Sequence, residues 1–325
     1  MTEKYRLLIS VINYRTAAMT WACVRSVLND LAGRDDVLTV VVDNNSGDRS
    51  VGDLTAQIAA LPAGSSPVRL IESPDNGGFS AGHNLGMGAA PADYYLLLNS
   101  DALLLPGFCA AMLSAADAAP PDMGLFSPRI TDSAGVPQTS LFRQPSPFSE
   151  VIRGAASGPV TRLLGRWNVP LTNDVAASDI GWASFAAIML RGDMVDQLGG
   201  LDEGYFMYFE DIDYCLRAGR AGWRIQPVHN AVVTHDEGGS GSLVADRRML
   251  RRLPAYYYAS RTRFMRKAYG VPGPFLANMG WLMGRGFAAC RRLFGKPARA
   301  VRDGEMRDIW LNFRDPMGDR HAPGK

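Results

Sequence analysis

The chain is short of the residues that cross-link a fold. Its 325 residues include four cysteines, Cys23, Cys109, Cys215 and Cys290, far apart and without a Cys-x-x-Cys pair. That distribution argues against a disulfide framework or a structural zinc site and for a reducing compartment. The charged start, Met1 to Arg6, runs into an apolar stretch too short for a signal peptide and lacking a small-residue cleavage site. No internal repeat is present. No Gly-x-Gly-x-x-Gly follows the first apolar run and no Gly-Lys-Ser/Thr occurs, so neither the dinucleotide fingerprint nor the P-loop applies. The hydrophobic fraction is 47%, which is ordinary for a globular protein and argues against disorder. The length allows one large domain or two smaller ones.

A net charge of +2 conceals an asymmetry. Residues 1–246 carry 16 basic and 27 acidic side chains, and the remainder carries 18 and 5. A basic tail on an acidic body calls for an anionic partner, either a nucleic acid or an anionic membrane surface. No nucleic-acid motif is present and the body is acidic, so the membrane is favoured over nucleic acid.

Periodicity predicts alternating strands and helices. Tyr5 to Ile12, Val37 to Val42, Val68 to Ile71 and Tyr94 to Leu98 read as buried strands. Thr16 to Leu31, Val51 to Leu61 and Phe79 to Ala89 read as helices. That order implies an α/β fold with a mostly parallel sheet flanked by helices. Residues 130–180 are rich in Pro, Ser and Gly and predict an irregular, substrate-facing insertion. Trp182 to Leu190 returns to strand, Glu210 to Ala221 to helix, and Val228 to Thr234 to strand. From Leu250 onward the chain becomes basic, aromatic and helical.

Polar residues gather where the apolar runs end, and ligands of open α/β sheets bind at strand C-terminal ends. Asn13, Asp43, Asp75 and Asp101 all follow such runs. Asp43 opens Asp-Asn-Asn-Ser-Gly-Asp, where a carboxylate can accept from a nucleobase N–H or a ribose hydroxyl; the same residues also make an ordinary turn. Asp75-Asn76-Gly77-Gly78-Phe79-Ser80-Ala81-Gly82-His83-Asn84 places exposed amides before a helix, either for an anionic ligand or for close packing. Asn99-Ser100-Asp101 offers a carboxylate that can hold a divalent cation against a diphosphate, or a helix cap. Glu210, Asp211 and Asp213 follow the aromatic run Tyr205 to Phe209. They suit the positive end of a helix, and a carboxylate in so apolar a setting also suits a general base. His235 ends a strand before a Gly-rich segment, as a metal ligand beside a lid would.

Taken together these pieces resemble glycosyltransferase family 2, with its Rossmann-like GT-A fold, over about residues 5–240. The most similar members are bacterial rhamnosyltransferases of cell-surface polysaccharide synthesis. The marks are Asn76-Gly77-Gly78-Phe79, Asn99-Ser100-Asp101, Phe209-Glu210-Asp211-Ile212-Asp213 and His235. The resemblance implies a catalytic domain over 1–245 and a basic helical region over 246–325. It implies an inverting, metal-dependent transfer of a sugar, L-rhamnose from dTDP-rhamnose, to a hydroxyl of a glycan or polyprenyl-linked acceptor. A UDP-hexose donor and a non-catalytic sugar-nucleotide or lipid-binding module are the alternatives. By the same resemblance Asp211 is the catalytic base, and Asp101 and His235 hold Mg²⁺ or Mn²⁺. The donor-binding set is Asn13, Asp43, Asn45, Asp75, Asn76, Gly77, Asn84, Asn99, Ser100 and Asp101. Trp182, Ser184 and Glu210 face the sugar and acceptor, although Trp182 is equally readable as a core residue. Asn99 stands where a full Asp-x-Asp motif has its first Asp. A nucleotidyltransferase would want a basic, Gly-rich loop after the first strand, where this chain has Asn13-Tyr14-Arg15-Thr16.

In the tail, Phe275 to Phe294 is apolar but interrupted by Arg285, Arg291 and Arg292. Three arginines spoil a membrane span. An amphipathic helix at the membrane surface fits better, with packing on the catalytic domain or a contact between two copies of the chain as alternatives. The expected setting is cytoplasmic and peripheral, at the inner face of the plasma membrane.

Overall fold

The computed structural model describes residues 4–31, 33–172, 177–235, 251–292 and 302–323. The first half alternates as its periodicity predicts: β1 (Tyr5–Asn13), α1 (Ala17–Leu31), β2 (Val37–Asp43), α2 (Ser50–Ala59), β3 (Val68–Glu72), α3 (Gly78–Met87) and β4 (Ala92–Leu98). A short β5 (Ala102–Leu104), α4 (Phe108–Ala118) and β6 (Met123–Thr131) follow. The eight-stranded sheet has the order β3-β2-β1-β4-β9-β6-β10-β5, where β9 is Ala187–Arg191 and β10 is Arg224–His235. Strands β1 to β4 pair in parallel, as do β6 and β10. Strand β9 runs antiparallel to both neighbours, and β5 antiparallel to β10. The sheet is therefore mostly parallel, as expected.

Its strands are apolar on both faces because helices cover both. Leu7, Ile9 and Val11 point to one layer, with Val27 and Phe108, while Leu8, Val40 and Val42 point to the other, with Met87 and Tyr214. Register then sets the polar residues level with one another: Asn13 sits opposite Asp43, Val11 opposite Leu98, and His235 opposite Ala102. One edge of the sheet thus collects the ends of β1, β2, β4 and β10 and the start of β9.

The expectation of an irregular insertion over 130–180 is corrected in part. Residues Pro147–Ala155 form a helix, α5, started by a reciprocal cap in which Ser146 and Ser149 bond each other's backbone amides, with Pro147 in its first turn. A short α6 (Gly158–Leu163) follows, and a two-stranded ribbon pairs β7 (Leu141–Phe142) with β8 (Trp182–Ala183). The remaining helices are α7 (Gly192–Leu198), α8 (Glu210–Arg220), α9 (Ala255–Tyr269), α10 (Gly273–Arg292) and α11 (Glu305–Asp308).

The basic tail finds part of its anionic partner in the body itself. Helix α10 lies on α5 so closely that a Cβ on Gly280 would stand 2.3 Å from the Pro147 carbonyl oxygen, and one on Gly284 the same distance from that of Val151. Arg261 of α9 is 1% exposed and donates to Glu150 of α5 at 2.8 and 3.2 Å and to Asn278 at 2.8 Å. Arg153 bonds both Glu150 and Glu305. No described helix is long and apolar enough to cross a membrane.

Candidate active site

The polar residues at the ends of β1 and β2 form a buried knot. Asn13 donates to Asp43 Oδ1 at 2.6 Å and to Ser46 Oγ at 3.1 Å, and accepts from Thr20 at 2.8 Å. Ser46 returns its backbone N–H to Asp43 Oδ2 at 2.9 Å and its hydroxyl to Oδ1 at 2.6 Å. Asp43 is buried and stabilises the turn after β2; the turn and ligand readings of this segment share one carboxylate. Asn45 is exposed in a left-handed conformation, with its amide on the Pro74 carbonyl at 3.1 Å.

The Asn-Gly-Gly turn is shaped by contact with the acid-bearing loop. Gly78 has φ +79°, and a Cβ there would stand 2.0 Å from the Phe206 carbonyl oxygen. Phe79 N–H donates to that same oxygen at 2.8 Å, and Asn76 Oδ1 accepts from Gly78 N–H at 3.1 Å. The Asn-Gly-Gly turn and the loop leading to Glu210 are thereby fixed to each other. Asp75 is exposed and bonds Arg320 at 2.9 Å. Asn84, expected at the donor, is turned elsewhere. Its amide donates to the Leu201 carbonyl and to Glu203, both at 2.9 Å, and accepts from Leu201 N–H at 2.8 Å, so it clamps the 199–203 turn. His83 is fully buried with Nδ1 2.9 Å from Ser10 Oγ, and burial pushes its imidazole down to about 3. It is a neutral packing residue.

At the end of β4, Asn99 N–H donates to the Ala186 carbonyl at 2.9 Å, which locks the Asn-Ser-Asp turn to the start of β9. Ser100 is buried beneath it. Asp101 Oδ1 lies 3.2 Å from His235 Nε2, with both side chains largely buried, and Asn99 Nδ2 is 3.5 Å from the same nitrogen. The carboxylate after β4 and the imidazole ending β10 therefore meet. The described residues contain no group of three or more metal-ligating side chains. The Gly-rich segment after His235 lies outside the described residues.

The aromatic run before the acids has a physical role that the sequence did not disclose. Tyr208 and Phe209 both hold positive φ, 70° and 71°. Such conformations cost roughly 1–3 kcal/mol each for non-glycine residues and need outside support. Helix α9 supplies it: Tyr256 stacks on Tyr208 with centroids 6.0 Å apart, and Tyr257 and Phe264 pack on Phe209 at 5.5 and 5.8 Å. The turn drives Glu210 inside, 6% exposed, and leaves Asp211 half-buried at the first turn of α8. Burial, then the neighbouring Asp211 and Asp213, raises the Glu210 carboxyl well above its ordinary range. Burial therefore disfavours the charged form of this carboxyl. Asp213 is turned away from the site, between Arg217 at 3.1 Å and Lys267 at 2.6 Å.

Trp182, expected to face the acceptor, is half-buried, stacks on Phe142 with centroids 4.1 Å apart and donates to the Arg143 carbonyl. Ser184 N–H donates to the Ser140 carbonyl at 2.9 Å. Tyr256, Tyr257 and Arg320 come from the tail; the Tyr256–Phe264 segment resembles a Tyr/Arg segment of the rhamnosyltransferases, but the sequence reading gave none of the three a place in the site.

The sequence matches the model of Glycosyl transferase family 2 over residues 8–153. An N-acetylglucosaminyl-diphospho-decaprenol L-rhamnosyltransferase of Mycobacterium tuberculosis is 30% identical over 226 residues, covering 65% of this chain and 70% of that protein. The chain belongs to glycosyl transferase family 2. A more distant relative of this family-2 chain is the low-salt glycan biosynthesis hexosyltransferase Agl10 of Haloferax volcanii, 23% identical over 205 residues, 57% of this chain and 62% of that one. Among solved structures, the mannosyltransferase PcManGT of Pyrobaculum calidifontis, in complex with GDP-Man and Mn²⁺, superposes with a TM-score of 0.58 at 15% identity, covering 91% of this chain and 77% of that one. GalNAc-T7 with UDP, GalNAc and Mn²⁺ does so with a TM-score of 0.57 at 11% identity, over 96% and 55%. The fold of this family-2 glycosyltransferase is GT-A-like.

Proposed function

We propose that this protein is an inverting, metal-assisted rhamnosyltransferase that moves L-rhamnose from dTDP-rhamnose to a hydroxyl of a polyprenyl-linked glycan. The observation that carries the reading is the meeting of Asp101 and His235, 3.2 Å apart, on the sheet edge that also holds the Asn-Gly-Gly turn, itself bonded to the loop before Glu210 and Asp211. One carboxylate and one imidazole suit Mg²⁺ or Mn²⁺, which commonly take one or two protein ligands and fill the rest with water and substrate phosphate. The cation would supply charge neutralisation on the departing diphosphate. Asp101 and His235 would hold it.

Asp211 takes the proton from the acceptor hydroxyl. Burial disfavours charge on Glu210, so Asp211, the less buried of the two, is the better placed carboxylate for this step. The acceptor oxygen attacks the anomeric carbon opposite the leaving group, and the configuration inverts. Asn13, Asp43, Asn45 and the Asp75–Gly77 turn frame the nucleotide, and Trp182 and Ser184 border the sugar. The donor sugar and the lipid-linked acceptor follow the 30%-identical relative, whose name carries both a decaprenol diphosphate and L-rhamnose.

Helix α10 supports a membrane-surface reading. Phe275, Leu276, Met283 and Phe287 are each about half exposed on its outer side, with Trp281 and Ala288 turned inward. Such an apolar stripe with arginines nearby suits an anionic lipid surface that carries the acceptor. The test is a donor panel of dTDP-rhamnose, UDP-glucose, UDP-galactose, UDP-N-acetylglucosamine and GDP-mannose, with Mg²⁺, Mn²⁺ or EDTA. Metal-dependent binding of dTDP-rhamnose that is lost in Asp101→Ala supports the reading. Selective binding of a UDP-hexose would change the donor, and binding of none would leave a non-catalytic module.

A further inference from the structure

The segment after α11 runs back over the body and ends on the donor turn. It is anchored along its length: the Ile309 carbonyl accepts from Asn278 at 3.0 Å, the Leu311 carbonyl from Thr262 at 2.8 Å and the Gly318 carbonyl from Arg263 at 3.4 Å. Asp308 is paired with Arg252 at 2.6 and 2.9 Å. His321 Nε2 lies 2.9 Å from Asn312 Oδ1 and closes the loop on itself, with Asn312 in a left-handed conformation. These bonds hold the segment without help from its tip. The tip is Arg320, which reaches Asp75 at 2.9 Å across 245 residues of sequence. Its Nη1 lies 3.3 Å from where a Cβ on Gly77 would stand.

The Arg320–Asp75 pair is not a structural clasp. The Asp75 side chain is 65% exposed and that of Arg320 26%. Water and salt screen a pair so open, and pairs of this kind add little to stability. What the pair does is aim a guanidinium over the Asn-Gly-Gly turn. The surrounding loops are acidic, with Asp43, Asp75, Asp101 and Asp211. A nucleoside diphosphate entering there brings further negative charge and needs cations. Arg15 lies on the Asp43 side of the same edge, its Nε donating to the Ser46 carbonyl at 2.9 Å.

We propose that Arg320, carried from the C-terminal segment and aimed by Asp75, is a donor-site residue that pairs with the diphosphate of the nucleotide sugar. Asp75 then acts through Arg320 as a positioning residue. The proposal rests on the nucleotide-sugar reading of the site, and the experiment separates the two. Full-length wild type, Arg320→Gln, Arg320→Lys, Asp75→Asn and the Asp75→Asn/Arg320→Gln double variant are titrated calorimetrically with dTDP, UDP and GDP and with the matching nucleosides.

For the diphosphate that wild type binds, Arg320→Gln weakens affinity about tenfold, the size of one charge-assisted hydrogen bond. The nucleoside binds equally to both proteins. Affinity for the diphosphate falls more steeply with NaCl in wild type than in Arg320→Gln, and Arg320→Lys recovers part of the loss. Asp75→Asn weakens the diphosphate and adds nothing on top of Arg320→Gln. Equal diphosphate affinity in wild type and Arg320→Gln overturns the proposal and leaves the nucleotide-sugar reading standing. If wild type binds none of the three diphosphates, both fail.

Discussion

Glu150→Gln would remove the charge that ties the tail to the body. Glu150 is 6% exposed and accepts from Arg261 at 2.8 and 3.2 Å and from Arg153 at 2.7 and 3.0 Å. Burial alone would raise its pKa, but the two guanidinium groups overcome that and hold it at about 2 against an ordinary 4.5. A depression of that size corresponds to about 3 kcal/mol of stability at neutral pH. Breaking a buried pair from one side costs roughly 3–5 kcal/mol, which agrees. Because the folded pKa is depressed, this contribution is fully present above pH 4.5 and is lost as pH falls toward 2. Differential scanning calorimetry at pH 7 should show Glu150→Gln melting roughly 5 °C or more below wild type. By pH 3 the gap should shrink to about half or less. A variant that melts with wild type at pH 7, or a gap unchanged at pH 3, would refute the reasoning.

Asn84→Ala should destabilise the protein by about 1–3 kcal/mol, since Leu201 N–H and carbonyl lose their partner together. Nucleotide affinity in the surviving fold should stay within about twofold, as calorimetry would show; a large selective loss of affinity would return Asn84 to the donor site. His235→Ala should leave nucleotide binding in EDTA unchanged but abolish the gain on adding Mn²⁺. An unchanged Mn²⁺ response would remove His235 from the metal site.

Much of the fold was readable because the first half has one hydrophobic layer per face. Continuous runs such as Val37 to Val42 fit a strand covered on both sides, and the polar residue ending each run marks the ligand edge. The pairing of Asp101 with His235 was implied by the family resemblance, and the two side chains lie 3.2 Å apart. Three features were not readable, each for a physical reason. Strand β9 has the composition of a parallel strand, and nothing local in Ala187–Arg191 encodes its reversed direction. Helix α5 hid among Ser, Gly and Pro, although Ser146-Pro147 is a start signal. The tail's arginines looked surplus because their acids, Glu150 and Asp202, lie far off in sequence. Asp202 is held well below the usual carboxylate range by Arg263 and Lys267 against the cost of burial. The same distance explains Tyr208 and Phe209. Their strained turn is intelligible only once Tyr256, Tyr257 and Phe264 pack on it. Asn84 shows the converse, a polar residue in a donor-like motif whose amide is consumed by the 199–203 turn.

The central claim is that Asp211 is the base of a sugar transfer, and it is tested most directly by Asp211→Asn. Turnover of dTDP-rhamnose onto a polyprenyl-diphosphate glycan acceptor, followed by dTDP release, would be measured beside dTDP affinity in the same preparation. The account predicts a loss of about 10²–10⁴-fold in turnover, the usual worth of general-base assistance, with dTDP binding within about twofold of wild type. Near-normal turnover in Asp211→Asn would contradict it.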